Sequence, residues 1–191
     1  LKPGINAGFG TEFNRHNTWY FMSKPWIDYL RRNNFLLQQG KYVADVAYYY
    51  GEDAPKITGY QNIPLPKGYS FDYINYDVIM NYLDVKNGRF VLPDGMSYKV
   101  LVLPDSKTMR PEMLEKINDL VRKGGVIVGN APHKSPSMKG YPASDEIIDS
   151  LASILWKDIE DDKNQSVIVG KGRIFKKMDL NIVFENLGML P

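Results

Sequence analysis

The sequence contains no cysteine. That excludes disulfides, thiolate metal sites and thiol nucleophiles, and leaves the compartment open. It has two histidines, His16 and His133, far apart and without metal-ligand spacing. Neither sign of charge is in excess: 24 Lys+Arg stand against 22 Asp+Glu, a net of +2. There is no electrostatic footprint for nucleic acid or an anionic membrane. Long apolar runs are missing; Val100-Leu101-Val102-Leu103 is far too short to span a bilayer. No G-x-x-x-x-G-K-[ST] phosphate loop occurs, and no G-x-G-x-x-G follows the first predicted strand. The G-x-S-x-G elbow of α/β-hydrolases is absent too.

What is present is an ordinary globular composition: 191 residues, 43% hydrophobic and 24% charged. This suits one domain, or one plus a fragment of another. A chain of this size buries well over half its unfolded surface and needs no metal or disulfide to hold a core. Aromatic residues make up 13%, with 13 Tyr. Rings that join an apolar face to a polar tip suit a carbohydrate or protein contact surface, and equally a Tyr-rich core. The first residue is Leu1, with neither an initiator Met nor a signal-peptide core, so a piece of a larger polypeptide is expected.

Residues 1–17 read as irregular, punctuated by Gly4, Gly8 and Gly10. A helix is predicted from Asn17 or Thr18 to Gln39, with Trp19, Met22, Trp26, Leu30 and Leu37 near one face. Pro25 either kinks it or opens the first turn of a second helix. Then strands and helices alternate. Strands are predicted over 42–50, 100–103, 126–128, 166–169 and 173–175, and helices over 73–83, 111–123, 144–155 and 180–187. Pro93-Asp94-Gly95 turns a hairpin between 89–92 and 96–99. The excursion 51–70 is unusually long, 131–143 is a Pro/Ser/Lys-rich loop, and 158–164 a charged turn. Ser144 is a candidate helix cap. This alternation predicts an α/β fold with a mostly parallel sheet and helices on both faces. We expect a three-layer domain of the flavodoxin-like or class I glutamine amidotransferase-like type over 41–191. Residues 1–40 look like the end of a preceding domain. A working amidotransferase needs a cysteine at a strand-to-helix elbow, so that activity is excluded.

The densest polar cluster precedes the first helix: Glu12, Asn14, Arg15, His16, Asn17 and Trp19. Asn, Arg and Glu side chains hydrogen-bond sugar hydroxyls while an indole packs on the ring face. The competing reading is a helix entrance capped by Asn17 or Thr18, with Trp19 in a core. Asp45 lies in a strand and either points at a cleft or pairs with a base. Glu52 and Asp53 follow the first strand, where open α/β sheets place ligands, but read more simply as a solvated turn. His133 reads as an exposed loop residue.

The run Phe9-Gly10-Thr11-Glu12-Phe13-Asn14-Arg15-His16-Asn17-Thr18-Trp19 and the segment Lys24-Pro25-Trp26-Ile27-Asp28-Tyr29-Leu30 resemble glycoside hydrolase family 106, the α-L-rhamnosidase-like family. The resemblance continues through Leu36–Gly40, Val43–Tyr48, Tyr50-Gly51-Glu52, Gly68-Tyr69, Phe71–Asn75, Leu92–Tyr98, Val100–Pro104 and Gly172-Arg173. The chain departs from the family pattern at Glu12, where many relatives carry His. The resemblance implies a multidomain enzyme that hydrolyses terminal rhamnosyl linkages of oligo- or polysaccharides with inversion, assisted by calcium. Residues 1–40 would then be the last loop and helix of a catalytic (β/α)8 barrel, followed by an amidotransferase-like domain at 41–191. The catalytic acid and base are expected upstream of Leu1, with no catalytic residue, metal or cofactor in this segment, which alone should be inactive. A substrate rim formed by Glu12, Asn14, Arg15, His16, Asn17 and Trp19 is implied, because barrel sites lie on such loops. The missing barrel is the expected partner, with homo-oligomers as a further expectation and neither nucleic acid nor membrane. An enzyme of this kind is expected in the periplasm or secreted rather than in the cytoplasm. Two other readings stay open: a stand-alone scaffold or oligomerisation domain, and a small-molecule-binding α/β domain.

Overall fold

A computed structural model describes residues 17–53, 61–157, 159 and 165–190. The chain divides between Lys41 and Tyr42 into two compact units. In the first, a 3-10 turn (Tyr20–Met22) precedes α1 (Lys24–Leu37). Pro25 sits in the first turn of α1, where a missing N–H costs nothing, so it opens the helix and does not kink it. The predicted start at Asn17 or Thr18 is therefore several residues early, and neither caps α1; Ser23 occupies that position.

The second unit is built on a six-stranded sheet. Its strands are β1 (Val46–Tyr49), β2 (Phe71–Ile74), β6 (Val100–Val102), β7 (Val126–Val128), β8 (Ser166–Val169) and β9 (Gly172–Phe175). They lie in the order β2-β1-β6-β7-β9-β8, all parallel except the edge strand β8. Successive residues of a strand point to opposite faces, and the core divides accordingly. Ala47, Tyr49, Leu101, Ile127 and Ile174 face α2 (Tyr76–Asn81), α3 (Pro111–Arg122) and α4 (Ala143–Leu155). Val46, Tyr48, Val100, Val102, Val128 and Phe175 face α5 (Leu180–Asn186) and Ile63 of the long excursion. Central strands covered on both faces need continuous apolar runs, as β1 and β6 have.

Three local predictions need correction. Residues 71–74 form a strand, and the helix predicted from Tyr73 begins only at Tyr76, where Asn75 Oδ1 accepts from the Val78 amide at 3.0 Å. The hairpin is a three-stranded antiparallel sheet of β3 (Asp84–Lys86), β4 (Arg89–Val91) and β5 (Ser97–Tyr98). Its first turn is Asn87-Gly88, both left-handed at φ 51° and 71°, the pairing that a two-residue hairpin turn favours. Ser144 does not cap α4; Pro142 holds that position without a side-chain cap. Along α4, Ile148, Ala152 and Leu155 are buried, whereas Ile147 and Ile154 are exposed. The charged turn predicted over 158–164 lies outside the described residues apart from Ile159, which is buried.

Burial pushes the phenols of Tyr48, Tyr49 and Tyr98 well above their ordinary value. The Glu52 charge adds to this at Tyr49, and at Tyr98 the Asp72 carboxylate does, accepting its hydroxyl at 3.1 Å. Above about pH 10, where unfolded tyrosine ionises, the folded chain then holds more protons than the unfolded one, so stability falls as pH rises. The urea midpoint is expected to stay level up to about pH 9.5 and then drop, by up to about 1.4 kcal/mol per pH unit for each phenol. A midpoint unchanged at about pH 11 would contradict the burial of these hydroxyls.

Candidate functional site

Of the predicted substrate rim, Asn17 and Trp19 are described; Glu12, Asn14, Arg15 and His16 lie outside the described residues. The Asn17 carbonyl accepts from the Tyr20 amide at 3.1 Å and the Trp19 carbonyl from Met22 at 2.9 Å, so both belong to the turn that leads into α1. Trp19 is half-buried and not a core residue. On α1, Lys24 Nζ donates to Asp28 Oδ2 at 2.5 Å, and Arg31 lies 3.5 Å from the other oxygen. That hydrogen bond from Lys24 holds the Asp28 carboxyl below the usual carboxylate range. No described residue of α1 is buried: Trp26, Tyr29, Phe35, Leu36 and Leu37 are all exposed.

In the second unit, the place to look is the carboxyl end of the parallel strands, where the strand order reverses between β1 and β6. Here one side-chain pair bridges the segments that follow β1 and β6. Glu52, three residues beyond β1, has a side chain only 6% exposed; its Oε1 accepts from Arg110 Nε at 2.5 Å and its Oε2 from the Arg110 amide at 2.8 Å. Arg110 is the N-cap of α3 and has no side-chain cap of its own, so Glu52 satisfies an orphan donor at that helix end. The guanidinium lies 3.5 Å over the Tyr76 ring, a cation–π contact. The solvated turn predicted at Glu52 is thus replaced by a buried clasp joining β1, α2 and α3. Beside it, Asn62 Nδ2 donates to the Leu103 carbonyl at 2.9 Å and the Tyr48 hydroxyl to the Ile63 carbonyl at 2.8 Å, which ties the excursion down over the strand ends. Asp45 lies just before β1, not within it, and its Oδ2 accepts from the Ser70 amide at 3.2 Å.

Farther along the same edge, an open cleft of about 340 Å³ is lined by Asp105, Ser106, Lys107, Asn130, His133 and Lys176. Its polar groups are largely engaged in structure. Lys177 bridges to Asp105 at 2.6 Å, and Ser106 Oγ bonds Thr108. His133 is exposed on the rim. Among the described residues, no three His, Asp or Glu side chains are placed to hold a metal.

The comparisons with known proteins bear on the whole chain. A family model for glycoside hydrolase family 106, described as alpha-L-rhamnosidase, matches residues 1–191. The chain belongs to that family. A curated protein of Formosa agariphila named "Putative beta-glucuronidase" is 41% identical over 157 residues, covering 82% of this chain. The solved structure of a rhamnosidase from Novosphingobium sp. PP1Y superposes with a TM-score of 0.80 at 33% identity and covers 95% of this chain. The chain spans 13% of the length of the first relative and 17% of the second. Its α/β architecture is thus that of a segment found in family 106 glycoside hydrolases. No described helix is long and apolar enough to cross a membrane.

Proposed function

We propose that this chain is part of a longer, inverting α-L-rhamnosidase-like glycoside hydrolase acting on oligo- or polysaccharides. Residues 1–41 end its catalytic (β/α)8 barrel, and 42–191 form a non-catalytic domain that supports it. The observation that carries the supporting role is the Glu52–Arg110 clasp, which ties together the segments between which an open α/β sheet would bind a ligand. A flavodoxin-like, amidotransferase-like ancestry is supported by the order of the five parallel strands, which numbered among themselves run 2-1-3-4-5. The exposed apolar side chains of α1 fit a helix whose covering partner is the rest of a barrel. Inversion would require two carboxyl groups roughly 6.5–9.5 Å apart, which we place upstream. Any calcium belongs there too, and the whole enzyme belongs in the periplasm or outside the cell.

The 191-residue chain is expected to show no turnover of a chromogenic α-L-rhamnoside, while the longer protein hydrolyses it. In the longer protein, Arg15→Ala should lower kcat/KM by about a hundredfold, the scale set by losing a positioning contact in the transition state. Turnover by the isolated chain, or an unchanged kcat/KM in the variant, would overturn the assignment. Faster hydrolysis of a β-glucuronide than of the rhamnoside would keep the glycosidase and replace its sugar.

A second reading rests on the same exposed residues, Trp26, Tyr29, Leu36 and Leu37: α1 as a contact between copies. Sedimentation of the chain as a monomer at high concentration would remove it.

A further inference from the structure

The two edges of the six-stranded sheet end differently. On β2, Ser70 and Ile74 turn their carbonyls toward β1 and accept from Asp45 and Tyr50, so Phe71 and Tyr73 present their main chain outward. The Tyr73 amide is taken by the carboxylate beside it, Asp72 Oδ1, at 2.8 Å, and a charge on an edge strand discourages further pairing. On β8, the Lys176 amide donates to the Gln165 carbonyl at 3.1 Å, while the Arg173 amide turns the other way, to the Gly125 carbonyl beside β7 at 3.2 Å. In the register Ile168↔Arg173 and Ser166↔Phe175, these bonds make Val167 and Val169 the bonded partners of β9. The amides and carbonyls of Ser166 and Ile168 therefore point off the sheet. Among the described residues, no hydrogen bond reaches those groups. The strand reads Ser-Val-Ile-Val and is as long as β2. It has β-branched side chains and none of the charge, proline or bulge that blunts an edge. The Ile168 side chain is 74% exposed.

Such an edge is its own complement. An antiparallel copy with a two-fold axis at Val167 sets Ser166 of each strand against Ile168 of the other, and each pair exchanges both of its main-chain bonds. The two Val167 residues then oppose each other as a non-bonded pair, and each Ile168 lies beside a Ser166. No like charges meet within the strand, and like charges are what oppose self-pairing.

We propose that β8 is an interface with a second copy of this chain: two β8 strands pair antiparallel across a two-fold axis at Val167, and the two sheets run on as one. This contact is separate from the α1 contact considered above and does not depend on which sugar the longer protein cleaves. The chain has no cysteine, so a single introduced thiol reports the pairing. Val167→Cys should give a disulfide-linked dimer on mild oxidation, because the Cα atoms of a non-bonded antiparallel pair lie about 4.5 Å apart, within disulfide reach. Ile182→Cys, exposed on α5, should stay monomeric under the same conditions. Sedimentation of the parent chain should show a reversible dimer with a Kd on the order of 100 µM, as suits a small contact. Ile168→Lys should weaken it about tenfold or more by placing like charges near the axis. Its urea midpoint should not move, since that side chain is already exposed. A parent chain that stays monomeric at about 1 mM, or a Val167→Cys chain that cross-links no better than Ile182→Cys, overturns the pairing. A dimer that Trp26→Lys dissolves and Ile168→Lys does not lies on α1 and overturns it too. In the longer protein, slow hydrogen exchange of the Ser166 and Ile168 amides in a monomer would show that another segment of that polypeptide takes the edge, and would overturn the pairing of copies.

Discussion

Gly172→Ala is expected to leave the chain unfolded or insoluble, at a cost of about 3 kcal/mol or more. Gly172 opens β9 directly against the last turn of α3. A Cβ there would lie closer than 3.0 Å to the carbonyl oxygens of Val121 and Gly125. Both are backbone atoms already in use: Val121 O accepts from the Gly124 amide at 2.8 Å, and Gly125 O from the Arg173 amide at 3.2 Å. Neither can retreat without breaking a bond: the first closes the turn that ends α3, and the second starts the pairing of β7 with β9. The next turn is as tight, because a Cβ on Gly170 would approach the Arg122 backbone at 2.7 Å. Gly40→Ala is the control, since a Cβ there meets nothing within 4 Å, and it should leave the urea midpoint unmoved. If Gly172→Ala unfolds at the parent's midpoint, the close approach of β9 to α3 is wrong.

The parts of this fold that sequence discloses are those whose periodicity is enforced by burial. The stripe Met113, Leu114, Ile117, Leu120 and Val121 is buried to the last residue, and Val100–Leu103 and Val126–Val128 are the central strands where their continuous apolar runs place them. Edge elements follow weaker rules. Strand β2 carries Asp72 and is only partly buried at three of four positions, so its pattern merges with the helical spacing of the residues after it. The cap at Asn75 and the Asn87-Gly88 turn were the local signals for both boundaries. On α4, Ile147 and Ile154 suggest a broader apolar stripe than the helix buries. The clasp at Glu52 is of another kind. Its partner is 58 residues away, and nothing in the local sequence separates a buried carboxylate from a solvated one. The polar cluster before α1 stands out by its residue types alone; of its members, Asn17 and Trp19 form backbone hydrogen bonds in the turn that leads into α1.

Glu52→Ala should destabilise the chain by about 2–3 kcal/mol, because it leaves a guanidinium and a helix-end amide without their acceptor. The loss is smaller than for a wholly buried ion pair because the Arg110 side chain is 35% exposed and water can reach it. Glu52→Gln keeps an oxygen for the Arg110 amide but removes the charge, so it should fall between the two. Arg110→Ala removes the charge and the Tyr76 contact but keeps its own amide bond to Glu52. It strands a carboxylate that is 6% exposed, and its cost should match or exceed that of Glu52→Ala. The double variant should then recover part of the sum, with a coupling of about 1–2 kcal/mol in a double-mutant cycle. Additive costs would show that the two side chains act independently and that the clasp is chance packing. Denaturation alone does not separate a structural clasp from a functional one; hydrolysis by the longer protein does. A clasp that only holds β1, α2 and α3 together predicts that Glu52→Gln lowers the unfolding midpoint while kcat/KM of the surviving folded enzyme stays at the parent's value. A loss of kcat/KM without a loss of stability would place Glu52 in the chemistry and overturn the non-catalytic assignment of this domain.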